Sequence, residues 1–264
     1  MPYTRCPKCG HAPLPQDQAS PAACPACGII LAKFGSAAPR VLSAQRDEDG
    51  DDVSDLEPTL LGRVKDALLY VPPQVSSVYW WGRAATLGLL ALWTVWIFAG
   101  IDIPDGKSGS NFLHMILLPF HEAGHYLIFR WFGEFIMILG GTLGQHLMPI
   151  VVGGSLLIQR RDPFGAAVFA WLLGYSVVDM AVYMYDAFDP HLTLIGGLTG
   201  AESDGHDWQN LFGDTGLLKK ARSIGLTWGV IGRLMMVGFL VYAGVILWLQ
   251  HARISDSPLA EENP

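Results

Sequence analysis

Apolar positions in this chain fall in long unbroken runs rather than along one face of short elements. Residues 84–101 contain no charged side chain. That is close to the ~20 residues a helix needs to cross a bilayer. Four further runs cover 112–132, 135–158, 164–185 and 224–250, so about five spans are expected. Polar breaks separate them, the first being the turn Asp102-Ile-Pro-Asp-Gly-Lys107. The run 135–158 differs from the rest because it carries Gly140, Gly141, Gly144, Pro149, Gly153 and Gly154. Its first half is expected to be extended or re-entrant, with a helix from about Gln145. Non-helical backbone at that depth needs protein or a watered cavity around it. Ahead of the first run, residues 59–70 read as a short amphipathic helix lying on a membrane surface, ended by Pro72-Pro73.

Composition agrees with this pattern. The chain is 51% hydrophobic and 16% charged, with nine Trp, too apolar for an ordinary soluble domain. A net charge of −7 gives no reason to expect a nucleic-acid partner. The first thirty residues lack the apolar core of a signal peptide, so the first apolar run is expected to direct insertion. All four cysteines lie there. Cys6-Pro-Lys-Cys9-Gly and Cys24-Pro-Ala-Cys27-Gly form two C-x2-C pairs 14 residues apart. This spacing fits one structural zinc held by four thiolates, as in a rubredoxin-like zinc ribbon over residues 1–35. Thiolate ligation implies a reducing compartment, hence a cytosolic N-terminus. Residues 36–58, with the acidic run Asp47–Asp52, read as a disordered linker, and 251–264 as a flexible tail. The expected fold class is therefore an all-α polytopic membrane protein over 84–250, joined to a small zinc ribbon.

One motif inside the apolar runs carries chemistry. His121-Glu-Ala-Gly-His125 places two imidazoles at i and i+4, about 40° apart around a helix, where both can hold one metal. Glu122 between them is then placed to act as general base for a water that the metal activates. Ionisable groups at membrane depth are costly and point to function. The motif is followed by Phe129-Arg-Trp-Phe-Gly133 and Ile138-Leu-Gly-Gly141. This order resembles the site-2 protease family of intramembrane zinc metalloproteases, in a short and divergent form. The resemblance implies a catalytic zinc within the bilayer of a bacterial inner membrane and hydrolysis of a membrane-spanning protein substrate. It also implies an extended stretch that pairs with the unwound substrate. That stretch would comprise Gly140 and Gly141, with Thr142 and Gln145 able to hold substrate backbone or oxyanion.

The family's third ligand is an aspartate of a downstream Asp-Gly segment. Here the matching stretch is Glu202-Ser-Asp-Gly-His-Asp-Trp208, which lacks the family's Asn, Pro and Leu-Asp-Gly-Gly. Three candidates stay open. Asp204 fits by its following glycine, and His206 by ligand type. Asp207 fits by standing at the start of an amphipathic run where a helix would begin. His146 is a fourth, weaker choice. His114, seven residues and two helical turns before His121 on nearly the same face, reads as a hydrogen-bonded core residue or as lining a water route, Asp179 and Arg233 as an intramembrane ion pair, and Gly238 and Gly244 as helix-packing positions. A membrane di-iron oxygenase needs more histidines, and a carboxylate-bridged di-iron bundle needs a second Glu-x-x-His. The rival class is a non-catalytic scaffold or zinc-handling protein that uses the ribbon to bind a cytosolic partner.

Overall fold

The computed structural model describes residues 4–6, 10–12, 14, 22–26, 31 and 59–254. The chain divides into two compact units, Met1–Asp55 and Leu56–Pro264. In the first, Cys6, Cys24 and Leu31 are buried together with Leu14 packed against them. The Cys6 N–H donates to the His11 carbonyl and the Gly10 N–H to the Cys6 carbonyl, both at 2.9 Å. Cys9, Cys27 and the expected linker 36–58 lie outside the described residues, as does the tail beyond 254.

The second unit is helical. Helix α1 spans Leu60–Leu68, with the Thr59 side chain capping it by accepting from the Gly62 N–H. Its side chains Leu60, Leu61 and Val64 are exposed, as are Arg63 and Lys65. Helix α2 spans Ser77–Gly100 and leads into a two-stranded turn, Ile101–Asp102 paired with Lys107–Ser108. Helix α3, Asn111–Ala123, begins at Ser110, whose side chain accepts from the Leu113 N–H. The chain then passes through a π-helical turn, Gly124–Ile128, and a 3-10 turn, Arg130–Phe132. Gly133, at φ 94°, ends this run and starts α4, Glu134–Ile158. Helix α5 spans Pro163–Asp186, α6 spans Asp207–Asp214 and α7 spans Ala221–His251.

Among the described residues, four helices are long and apolar enough to cross a membrane: Ser77–Gly100, Glu134–Ile158, Pro163–Asp186 and Leu218–His251. They are compatible with a membrane protein, and their outer faces expose Leu89, Leu92, Val95, Leu234, Val241 and Trp248. About five such helices were expected. The difference lies in the motif segment, which is broken into three short helical pieces between residues 111 and 132.

The glycine-rich segment is a second correction. It is neither extended nor re-entrant but one helix from Glu134 to Ile158. Its glycines open a groove for the motif helix rather than breaking the backbone. A Cβ on Gly124 would run into the Gly140 carbonyl, and one on Gly144 would lie 2.8 Å from the Gly124 Cα and closer still to the Phe120 carbonyl. The cost of glycine in a helix, ~1 kcal/mol each against alanine, is offset by the close approach it allows.

Helix α5 is the most buried element and packs along α7 through the same device. A Cβ on Gly232 would lie 2.8 Å from the Gly174 carbonyl, and one on Gly225 would lie 2.7 Å from the Ala181 carbonyl. Of the two glycines anticipated as packing positions, Gly238 is not where the helices meet, since a Cβ there would touch nothing within 4 Å, whereas a Cβ on Gly244 would lie 3.8 Å from Leu87 Cδ2 of α2. Arg83 ties one end of the bundle, donating to Gln250 Oε1 at 2.9 Å and Asp162 Oδ1 at 3.1 Å. Toward the other half, Tyr175 on α5 donates to the Ser110 carbonyl at 2.6 Å, fixing where α3 begins.

Candidate metal centre

The two histidines of the motif stand on different kinds of helical turn. His121 closes α3, whereas His125 lies in the π-helical turn sealed by the Phe129 N–H on the Gly124 carbonyl at 3.0 Å. Turns of this kind recur at functional sites. The imidazole centroids are 4.8 Å apart, with planes at 78°. Gly141 of α4 backs both rings: a Cβ there would lie 2.6 Å from His121 Nε2 and would overlap His125 Nε2.

Of the three downstream candidates, the structure brings Asp207 to the pair. Its Oδ2 is 3.0 Å from His121 Nε2 and 3.1 Å from His125 Nε2. Asp207 is the first residue of α6, and its backbone N–H donates to the Tyr183 hydroxyl at 3.1 Å. Burial by itself would raise the Asp207 carboxyl pKa. The contacts with His121 and then His125 outweigh burial and hold it below the ordinary carboxylate range, so it meets the imidazoles as an anion.

The other candidates are used elsewhere. His206 is fully buried; its Nδ1 accepts from the Gln209 N–H at 3.1 Å as the helix cap and its Nε2 bonds Asp186 Oδ2 at 3.2 Å. Both ring nitrogens are thereby occupied. The Asp204 side chain is exposed, and its carbonyl accepts from Asn210 Nδ2 at 2.8 Å. His146 bonds the carbonyl of Thr142, one turn earlier, at 2.7 Å.

The outer nitrogens of the two motif imidazoles are also engaged. His125 Nδ1 is 2.8 Å from the Met137 carbonyl, and His121 Nδ1 is 3.2 Å from Gln145 Oε1. Carbonyl and amide oxygens only accept, so each Nδ1 carries a proton and each ring turns Nε2 toward the Asp207 carboxylate. Two ring nitrogens and a carboxylate oxygen thus meet at one place, where protons on the imidazoles or a metal ion can sit between them. Zinc ligands at about 2.0–2.1 Å in tetrahedral geometry lie about 3.3 Å from one another, close to the observed separations. His121, His125 and Asp207 therefore fit a three-ligand metal site with an open fourth position.

Glu122 belongs to the same cluster: the ligand atoms of His121, Glu122 and His125 lie within 4.8 Å of one another. Among the described residues its carboxylate is hydrogen-bonded to neither imidazole. It faces a cavity of about 1410 Å³ that also reaches His114, Thr142, Gln145, Asp179 and Asp207. Gly140 and Gly141 are buried within α4, where their backbone groups belong to the helix rather than to an open edge.

Sequence reasoning missed one group. Asp179 does not pair with Arg233; both its oxygens lie 3.0 Å from His114 Nδ1, and Oδ2 accepts from Gln145 Nε2 at 3.2 Å. His114 is accordingly a cavity-wall residue, 47% exposed at its side chain, rather than a core histidine. Its spacing of seven from His121, two turns along one face, is the signal behind the water-route reading; its pairing with Asp179 had no signal in sequence. Compared with family models, curated proteins and solved structures, the chain finds no match.

Proposed function

We propose that this protein is a membrane-embedded zinc metalloprotease, divergent from the site-2 protease family, that hydrolyses a peptide bond of a membrane-spanning substrate. The observation that carries this reading is the convergence of His121 Nε2, His125 Nε2 and Asp207 Oδ2 on one point beside Glu122. When bound there, zinc supplies Lewis acidity that lowers the pKa of water from about 16 toward about 7. Glu122 takes a proton from the attacking water on its carboxylate and later delivers it to the departing amide nitrogen. His121, His125 and Asp207 hold the centre, and Asp207 contributes the only negative charge among them.

Water reaches these groups through the cavity. At about 1410 Å³ it exceeds the roughly 300–1,000 Å³ of small-molecule sites and suits an unwound polypeptide segment. Substrate backbone does not find an extended edge at Gly140 and Gly141 in this reading, since both belong to helix α4. Thr142 and Gln145 still line the cavity. The N-terminal cysteines hold a second, structural zinc on the cytosolic side, where the ribbon recruits a partner or the substrate's tail.

The test separates binding from catalysis. Full-length protein purified in detergent should hold a zinc that is lost in His121→Ala and Asp207→Ala and kept in Glu122→Gln. Glu122→Gln should cleave a panel of membrane-spanning test substrates at least about 10²-fold more slowly than wild type. Retained zinc with equal turnover in Glu122→Gln would remove the protease reading and favour a zinc-handling or scaffold role.

A further inference from the structure

Gln145 is buried, and its side-chain amide can point only one way. Its Nε2 donates to Asp179 Oδ2 at 3.2 Å and to the Ser176 carbonyl at 3.4 Å. Turned over, the amide would set its oxygen against these two acceptors and its NH2 against His121. Asp179 is itself held by His114, whose Nδ1 lies 3.0 Å from both carboxylate oxygens. A carboxylate within a helix bundle is costly unless such donors surround it. The amide NH2 is thus committed toward Asp179, and Oε1 faces His121 Nδ1 at 3.2 Å.

That direction has a chemical consequence. Asp207 Oδ2, 3.0 Å from Nε2, is the competing acceptor; an acceptor at Nδ1 secures a proton on that side, so that Nε2 is the nitrogen that can give its proton up to a metal. We infer that Gln145, aligned by Asp179 and His114, is a positioning residue that locks His121 in its Nδ1–H tautomer and so leaves Nε2 to the metal. This rests on the metal reading above. It assigns the buried amide to the histidine rather than to substrate backbone. The two ligands are held differently: His125 depends on the Met137 carbonyl, a backbone group that no side-chain substitution removes. His121 depends on three side chains from α3, α4 and α5.

The test uses full-length protein labelled with 15N-histidine, in detergent, stripped of metal by a chelator. The His121 ring signals are identified by their loss in His121→Ala. Wild type should show His121 protonated at Nδ1. Gln145→Leu should shift it toward the Nε2–H form and leave His125 unchanged. Zinc competition against a chromophoric chelator then follows only the zinc that is missing from His121→Ala. Gln145→Leu should weaken that zinc by about 10–100-fold, the usual scale for losing a ligand's outer hydrogen-bond partner. Asp179→Asn lets both amides turn over together, so it should give mixed His121 tautomers and a smaller loss.

Two results overturn the inference: a wild-type His121 with no proton on Nδ1, or a Gln145→Leu variant with its ring signals unchanged and affinity within about twofold of wild type. If Gln145→Leu does not fold, Asp179→Asn carries the same two readouts. A wild type with no zinc at His121 removes the metal reading, while the ring signals still decide the positioning claim.

Discussion

Asp207 Oδ2 sits between two imidazole nitrogens at 3.0 and 3.1 Å, and no other carboxylate among the described residues has that position. A single side chain therefore separates a histidine pair from a three-ligand site. Asp207→Ala should remove the His121-dependent zinc, measured by elemental analysis of full-length protein. Asp204→Ala, an exposed side chain a few residues away, should keep it. His206→Ala tests the neighbouring role: it deletes a buried helix cap and a partner of Asp186. Its loss should cost about 1–2 kcal/mol of stability through the cap, read as a lower unfolding midpoint in the metal-free protein. Residue types near 204–207 are legible in sequence, and so is the helix start at Asp207. Which of them turns inward depends on Asp186 and Tyr183, some twenty residues upstream, and no local pattern encodes that.

At the scale of elements, the glycines of α4 decide how near the motif helix can come. Their number suggests a broken backbone when read along the chain, because glycine disfavours helix in isolation. In the bundle the same residues sit on the face of α4 that meets Phe120, Gly124 and Phe129, and the helix survives because that face is packed. Gly141→Ala places a methyl group against both Nε2 atoms of the histidine pair. It should lower zinc affinity by at least about tenfold, comparable with losing a supporting partner of a ligand. Gly238→Ala meets nothing within 4 Å and should leave zinc unchanged and stability within about 0.5 kcal/mol, as surface substitutions generally do. A competition titration and thermal unfolding of the two variants check the pair of statements. Equal zinc loss in both would mean that glycine content, not the α4–motif approach, matters.

Across the whole molecule, the centre draws on distant parts of the chain: α3 and its π turn, α4, the end of α5 and the start of α6. A cation that binds this assembled site and not the unfolded chain stabilises the fold by about 2.7 kcal/mol at a hundredfold excess over its dissociation constant. Chelation should therefore lower the unfolding midpoint of wild type. His121→Ala should show a smaller shift, with any remainder belonging to the N-terminal cysteines. Identical shifts in the two proteins would place all the metal-linked stability outside the helical unit.

The sequence by itself determined the helical, apolar character of residues 84–250, since long uncharged runs have few other stable forms in a bilayer. It also determined the His121–Glu122–His125 spacing, because i and i+4 share a helix face whatever surrounds them. Short-range signals of this kind need no partner. Tertiary structure alone decided three things: that the glycine run is a packed helix, that Asp207 rather than Asp204 or His206 meets the imidazoles, and that Asp179 answers to His114 and Gln145 rather than Arg233. Each is a contact between residues far apart in the chain. Such contacts are set by which faces of packed helices meet, and periodicity within one segment carries no record of its neighbour.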